Sequence, residues 1–93
     1  MSEVKLNVND KTGYFYIEVN GKAEAKMTFV FEDGTKMIID HTEVHPKNKG
    51  KAFGKQMVTK AVEYAREKEL KIIPQCSFVK SVFDKVPEFR DIL

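Results

Sequence analysis

Three side chains in this sequence are suited to moving a proton or an acyl group: His41, Glu43 and Cys76. His41 and Glu43 lie two residues apart, so on a strand they share one face. A histidine titrates near neutral pH, and either group can accept a proton directly or through water. The same pair would serve equally well as two solvated residues on a surface strand. Cys76 falls just before a predicted helix start, where the helix dipole lowers a thiol pKa and frees a nucleophilic thiolate. Most free cysteines are instead small buried hydrophobes. A single cysteine forms no internal disulfide and no cysteine-based zinc cluster. His41 and His45 add little, so no metal site is expected.

A second kind of chemistry is written in the segment from Val44 to Lys55. It joins an apolar strand to a long amphipathic helix. It carries small residues at Gly50, Ala52 and Gly54, and lysines at 47, 49, 51 and 55. Small residues let a ligand approach the backbone. The free N–H groups of a helix N-terminus attract anions, and the dipole behind them adds to the pull. Physics alone supports a general anion site, with a pyrophosphate cradle as its sharpest form. A connecting turn with a solvated lysine run has the same composition.

The elements that must hold these residues are readable from periodicity. Val4 to Val8 forms a first strand. Tyr14 to Val19 alternates, with Tyr14 and Tyr16 on one side and Phe15, Ile17 and Val19 on the other. Asn20-Gly21 is a strong hairpin signal because both positions tolerate positive φ. Ala23 to Phe31 is a third strand, Asp33-Gly34 a second tight turn, and Met37 to Val44 a fourth strand. The period then changes. Phe53, Met57, Ala61 and Ala65 recur every four residues, with Val58 and Val62 beside them, over a helix from about Ala52 to Lys68. Leu70 to Ile73 is a short fifth strand, close enough after the helix to pack parallel to the fourth. Pro74 ends its regular pairing. Ser77 is a candidate N-cap for a last helix ending before Pro87. The order β-β-β-β-α-β-α describes a mixed α/β fold: an antiparallel meander with one parallel β4/β5 pair.

Ninety-three residues suit a single domain spanning 1–93, with one modest core. No apolar run is long enough to cross a membrane and no signal-like N-terminal region is visible, which sets a cytoplasmic expectation. Sixteen basic residues against fourteen acidic give a net charge of +2. That balance argues against a nucleic-acid-binding surface, despite the aromatics near Tyr14 and the lysines of the loop.

Lys49-Gly50-Lys51-Ala52-Phe53-Gly54, entered through a strand ending Val44-x-Pro46, resembles the Gln/Arg-x-x-Gly-x-Gly/Ala motif of the GNAT superfamily of N-acetyltransferases. Lys49 stands where Gln or Arg is usual, and Ala52 where the first Gly is usual. The run His41-Thr42-Glu43-Val44, Gly50, Gly54 and Pro74-x-Cys76-x-Phe78-Val79 is similar to a subfamily of very short GNAT-like proteins. The resemblance covers most of the chain and is most specific over residues 41–79.

This resemblance implies a minimal GNAT-like domain that binds acetyl-CoA and passes its acetyl group to an amine acceptor. Val44, Lys49, Gly50, Lys51, Ala52, Phe53, Gly54 and Lys55 would contact the cofactor, with backbone meeting pyrophosphate at Gly54. The fold would place Cys76 near the acetyl group, as an acetyl-cysteine nucleophile or as the group that protonates the leaving thiol. His41 or Glu43 would take the proton of the amine. Many relatives use a tyrosine of the last helix as general acid. Here Ser77 to Phe83 contains none, so either Cys76 substitutes or the thiolate leaves unassisted. Full-length members also carry two helices between their first strands. The short turn Asn9 to Gly13 replaces them, which implies an open acceptor side or a wall supplied by a partner chain; the open side of the fifth strand leaves room for a homodimer. The alternative is a non-catalytic acyl-CoA-binding module acting on a partner protein.

Overall fold

The computed structural model describes residues 3–48 and 50–93. Five strands, β1 (Lys5–Val8), β2 (Thr12–Val19), β3 (Lys22–Glu32), β4 (Lys36–Val44) and β5 (Lys71–Pro74), form one sheet in the order β1-β2-β3-β4-β5. The first four pair antiparallel and β5 runs parallel to β4, from Lys36↔Lys71 to Ile39↔Pro74. Helix α1 (Phe53–Lys68) makes the crossover between β4 and β5. Helix α2 (Ser77–Lys85) and a 3₁₀ segment Pro87–Ile92 follow.

The two predicted turns form as their sequences require. Asn20 and Gly21 take φ of 53° and 80°, and Asp33 and Gly34 take 57° and 67°. Positive φ at both central positions suits the right-handed twist of the flanking strands. Between β1 and β2 the Asn9 carboxamide accepts the N–H groups of Lys11 and Thr12, which closes the short turn.

Only one face of the sheet is covered by helices. Phe15, Ile17, Met27, Phe29, Met37, Ile39 and Ile72 point into that face and are at most 3% exposed. They meet Phe53, Met57, Val58, Ala61, Val62 and Ala65, the buried stripe of α1. The four-residue recurrence in the sequence is therefore the packing face of the helix. Glu69 ends α1 in a left-handed conformation, and the next N–H, of Leu70, returns to the Ala65 carbonyl. Arg66 clamps the C-terminal segment onto α1, with Nη2 and Nε donating to the Asp91 carboxylate at 2.7 and 3.2 Å and Nη2 also to the Glu88 carbonyl. That clamp buries Ile92.

The last helix differs from the expectation at its start. Ser77 is the first helical residue, and Cys76, in extended conformation, takes the N-cap position. Pro74 is the last paired residue of β5, not the residue beyond it. A proline is tolerated there because β5 is an edge strand.

Candidate functional site

β4 and β5 stop pairing after Ile39 and Pro74, and the N–H groups of Gln75 and Cys76 both turn to the Ile39 carbonyl, at 3.0 and 3.3 Å. Beyond this point the strands part and a cleft of about 510 Å³ opens. Thr42 and Val44 of β4 form one wall, and Phe78, Val82 and Val86 of the last helix and its end form the other. Asn48, Gly50 and Ala52 to Lys55 lie at its base. The walls are mostly apolar while the base is rich in N–H donors.

The base is the start of α1. No side chain among the described residues caps it, and its first helical hydrogen bond runs from Gln56 N–H to the Ala52 carbonyl, at 3.0 Å. The N–H groups of Phe53, Gly54 and Lys55 therefore have no intrahelical acceptor. Gly50 takes φ of 91°, a value glycine adopts without strain. Ala52 takes φ of 59°, which an alanine adopts only at a cost. Gly54 has a different reason to be glycine. A Cβ there would fall 2.6 Å from Cε2 of the Phe78 ring, and nearer still to Cζ. The aromatic ring, rather than open space, faces this backbone.

Of the loop lysines, Lys47 and Lys51 have partners inside the protein. Lys47 Nζ lies 2.5 Å from Oε1 of Glu24. A register shift between β2 and β3 makes Glu24 an extra residue, and its side chain is only 6% exposed. The hydrogen bond from Lys47 holds the Glu24 carboxyl below its usual pKa. Lys51 Nζ donates to Asn48 Oδ1 at 3.1 Å. Lys55 and Lys85 line the cleft with no acidic partner among the described residues. Lys49, also expected to touch the cofactor, lies outside the described residues.

The three candidate catalytic residues separate into two groups. His41 and Glu43 share a face as alternation requires, with His41 Nε2 2.9 Å from Glu43 Oε1. That face is the one the helices leave open, and the two side chains are 62% and 73% exposed. The cause is a β-bulge. Phe29 pairs with Ile39 and Thr28 with His41, so Asp40 is an extra residue on β4. Met37 and Ile39 point to the helices before it. After it Thr42, opposite buried Met27, and Val44, opposite buried Ala25, do so instead. Asp40 is held by the Thr28 hydroxyl, which donates to Oδ1 at 2.6 Å.

Cys76 lies on the cleft side of the sheet, its sulfur 3.7 Å from the Thr42 hydroxyl. Partial burial pushes this thiol up. The N–H groups of Val79 and Phe78, and the contact with Thr42, outweigh that push and leave the thiol below its ordinary value. The structure thus joins Cys76 to the cleft through Thr42 and sets it apart from His41 and Glu43.

Sequence reasoning did not single out Thr42, Asn48, Phe78, Val82 or Lys85 for this site. The spacing of Phe78, Val82, Lys85 and Val86 was a usable signal, because it places all four on one side of a helix. Thr42 carried no signal until the bulge was known. Asn48 looked like any polar loop residue.

The fold has counterparts among solved structures. A GCN5-like protein from Staphylococcus aureus superposes with a TM-score of 0.73 at 35% identity, over 99% of this chain and 89% of its own. A ribosomal-protein-alanine N-acetyltransferase from Brucella melitensis biovar Abortus gives 0.70 at 16% identity, over 84% of this chain and 62% of its own. A predicted acetyltransferase from Clostridium acetobutylicum, solved with acetyl-CoA, gives 0.68 at 20%, over 82% and 56%. No curated protein matches the sequence. The mixed α/β fold, a five-stranded sheet with its single parallel pair, matches the fold of the Staphylococcus aureus protein over nearly the whole chain. Residues 14–92 match the family described as GCN5-related N-acetyl-transferase, and the chain belongs to that family.

Proposed function

We propose that this chain is an acetyl-CoA-dependent N-acetyltransferase, acting as a single domain over residues 1–93. The observation that carries the reading is the uncapped start of α1 at the base of an apolar cleft, at the point where β4 and β5 part. That donor set fits a ligand with phosphates at one end and a long, weakly polar arm. When bound, acetyl-CoA supplies the acetyl thioester.

The chain's own residues then divide the work. Gly50, Lys51 and the segment Ala52 to Lys55 bind the phosphates, and the main chain near Val44 aligns the arm. His41 and Glu43, on the open face, hold the proton that the amine gives up as its nitrogen bonds to the acetyl carbon. The acetyl C–S bond breaks, and Cys76 donates its thiol proton to the departing sulfur. A thiol held below its ordinary pKa is a competent donor to a thiolate and, when ionised, a nucleophile toward the thioester.

Calorimetric titration with acetyl-CoA, followed by thiol release with a panel of primary amines, tests this. Saturable binding and turnover are expected. Cys76→Ala should keep the binding and lose the turnover. Turnover equal to that of the native chain would remove Cys76 from the mechanism. One observation favours a second reading, an acyl-CoA-binding module without turnover: no element covers the face that carries His41 and Glu43, so nothing in the described chain encloses an acceptor. Tight binding with no amine acetylated would select that reading.

A further inference from the structure

Asn48 closes the 3₁₀ turn Pro46–Asn48 and is 1% exposed. Its main chain is fully used. The N–H donates to the His45 carbonyl at 2.9 Å, and the carbonyl accepts the Lys51 N–H at 3.1 Å. Its side-chain oxygen accepts the Lys51 ammonium. The side-chain nitrogen, Nδ2, is buried and has no partner among the described residues. A flipped carboxamide would set its NH₂ group against the ammonium, so Lys51 fixes the orientation and the unanswered donor is real.

A buried donor without an acceptor calls for a reason. Its place supplies one. Asn48 lines the cleft beside the free N–H groups of α1, with Lys55 and Lys85 on the same lining. This end of the lining offers the backbone N–H groups at the start of α1, the Asn48 carboxamide NH₂ and the lysine ammoniums, and no carboxylate among the described residues. An oxygen received there carries negative charge. The other buried unpaired atom, Gln56 Oε1, is an acceptor and lies outside the cleft lining, in a shallow hollow with Val4 and Thr59.

We infer that Asn48 is a specificity-determining residue for phosphate-bearing thioesters, its Nδ2 being the side-chain donor to a phosphate oxygen of the coenzyme A diphosphate set against the start of α1. The inference rests on the proposed cofactor. It adds to the backbone cradle a side-chain group that can be removed without touching the backbone.

The test compares coenzyme A with pantetheine, which has the same arm and no phosphate. Both are titrated by NMR into ¹⁵N-labelled native protein, Asn48→Ala and Asn48→Asp. In the native protein coenzyme A should shift the Asn48 side-chain NH₂ resonances and pantetheine should not. In Asn48→Ala, coenzyme A should bind about tenfold more weakly, the loss expected for one hydrogen bond to a charged group, with pantetheine unchanged. Asn48→Asp should weaken coenzyme A further, because a carboxylate repels the phosphate. Equal loss for both ligands would mark a structural role and overturn the inference. So would an unmoved NH₂ resonance at saturating coenzyme A, a readout that holds even if the variants fold poorly. A native protein that binds neither ligand would overturn the cofactor reading as well. Binding of coenzyme A with Asn48 indifferent would overturn this inference alone.

Discussion

Gly54→Ala should act in opposite directions in two backgrounds. In the native chain the new Cβ meets the Phe78 ring at 2.6 Å from Cε2, so the ring must leave. Phe78 is 40% exposed, so roughly three-fifths of a phenylalanine's burial is at stake. At the 1.5–3 kcal/mol expected for full burial, displacing it costs about 1–2 kcal/mol. Replacing a helical glycine by alanine returns about 0.5–1 kcal/mol. The single variant should therefore be destabilised by up to about 1.5 kcal/mol. In a Phe78→Ala background the clash is gone and only the helical gain remains, so Gly54→Ala should stabilise by about 0.5–1 kcal/mol. The coupling between the two sites is then about 1–2 kcal/mol, which for a domain of this size is on the order of 4–16 °C in melting temperature. Thermal and urea unfolding of the four proteins measures it. A Gly54→Ala effect of the same sign in both backgrounds would refute the claim that the ring is what requires glycine here.

Two further effects follow from strain and charge. Ala52→Gly removes a left-handed conformation that costs an alanine about 1–2 kcal/mol and adds glycine's backbone entropy of about 0.5–1 kcal/mol. The variant should be up to about 1.5 kcal/mol more stable by urea unfolding, and a less stable one would mean the φ of 59° carries no strain. Lys47 holds the Glu24 carboxyl below the ordinary glutamate value of 4.5, so its contribution is present above that pH and lost as the pH falls through the lowered folded value. Stability measured against pH should fall less steeply below about 4.5 in Glu24→Gln than in the native chain. Parallel acid limbs would show that the pair contributes nothing.

Much of the fold was legible because local signals and burial agreed. The Asn20-Gly21 and Asp33-Gly34 turns, the four-residue stripe of α1 and the parallel pairing of β4 with β5 each rest on short-range physics. The site was less legible. Asp40 is the extra residue of a bulge, yet it is neither glycine nor proline, and Met37 to Val44 reads as an unbroken strand. Counting alternation through it gave His41 and Glu43 the correct partnership and could not place them relative to Cys76. The loop lysines read as a solvated run because nothing in the sequence pairs Lys47 with Glu24, 23 residues earlier, across a second bulge. Gly54 fitted the phosphate motif so well that its contact with Phe78, 24 residues later, went unseen.

The bulge at Asp40 divides β4 into two reading frames. Upstream of it the odd positions 37 and 39 require apolar side chains, and downstream the even positions 42 and 44 face the same layer. Saturation mutagenesis along the strand should show tolerance that changes phase at residue 40. With Asp40 deleted, the pairs Phe29–Ile39 and Thr28–His41 would follow one another in an unbroken ladder, so His41 and Glu43 would stay in solvent and Thr42 toward the cleft; drawing Asp40 into the ladder as a paired residue would instead turn His41 and Glu43 toward the helices and Thr42 away from the cleft. A single extra peptide unit thus selects which half of the strand's chemistry lies under the helices and which stays in solvent. Losing the bulge at constant length would switch that setting, and losing the residue itself would leave it in place.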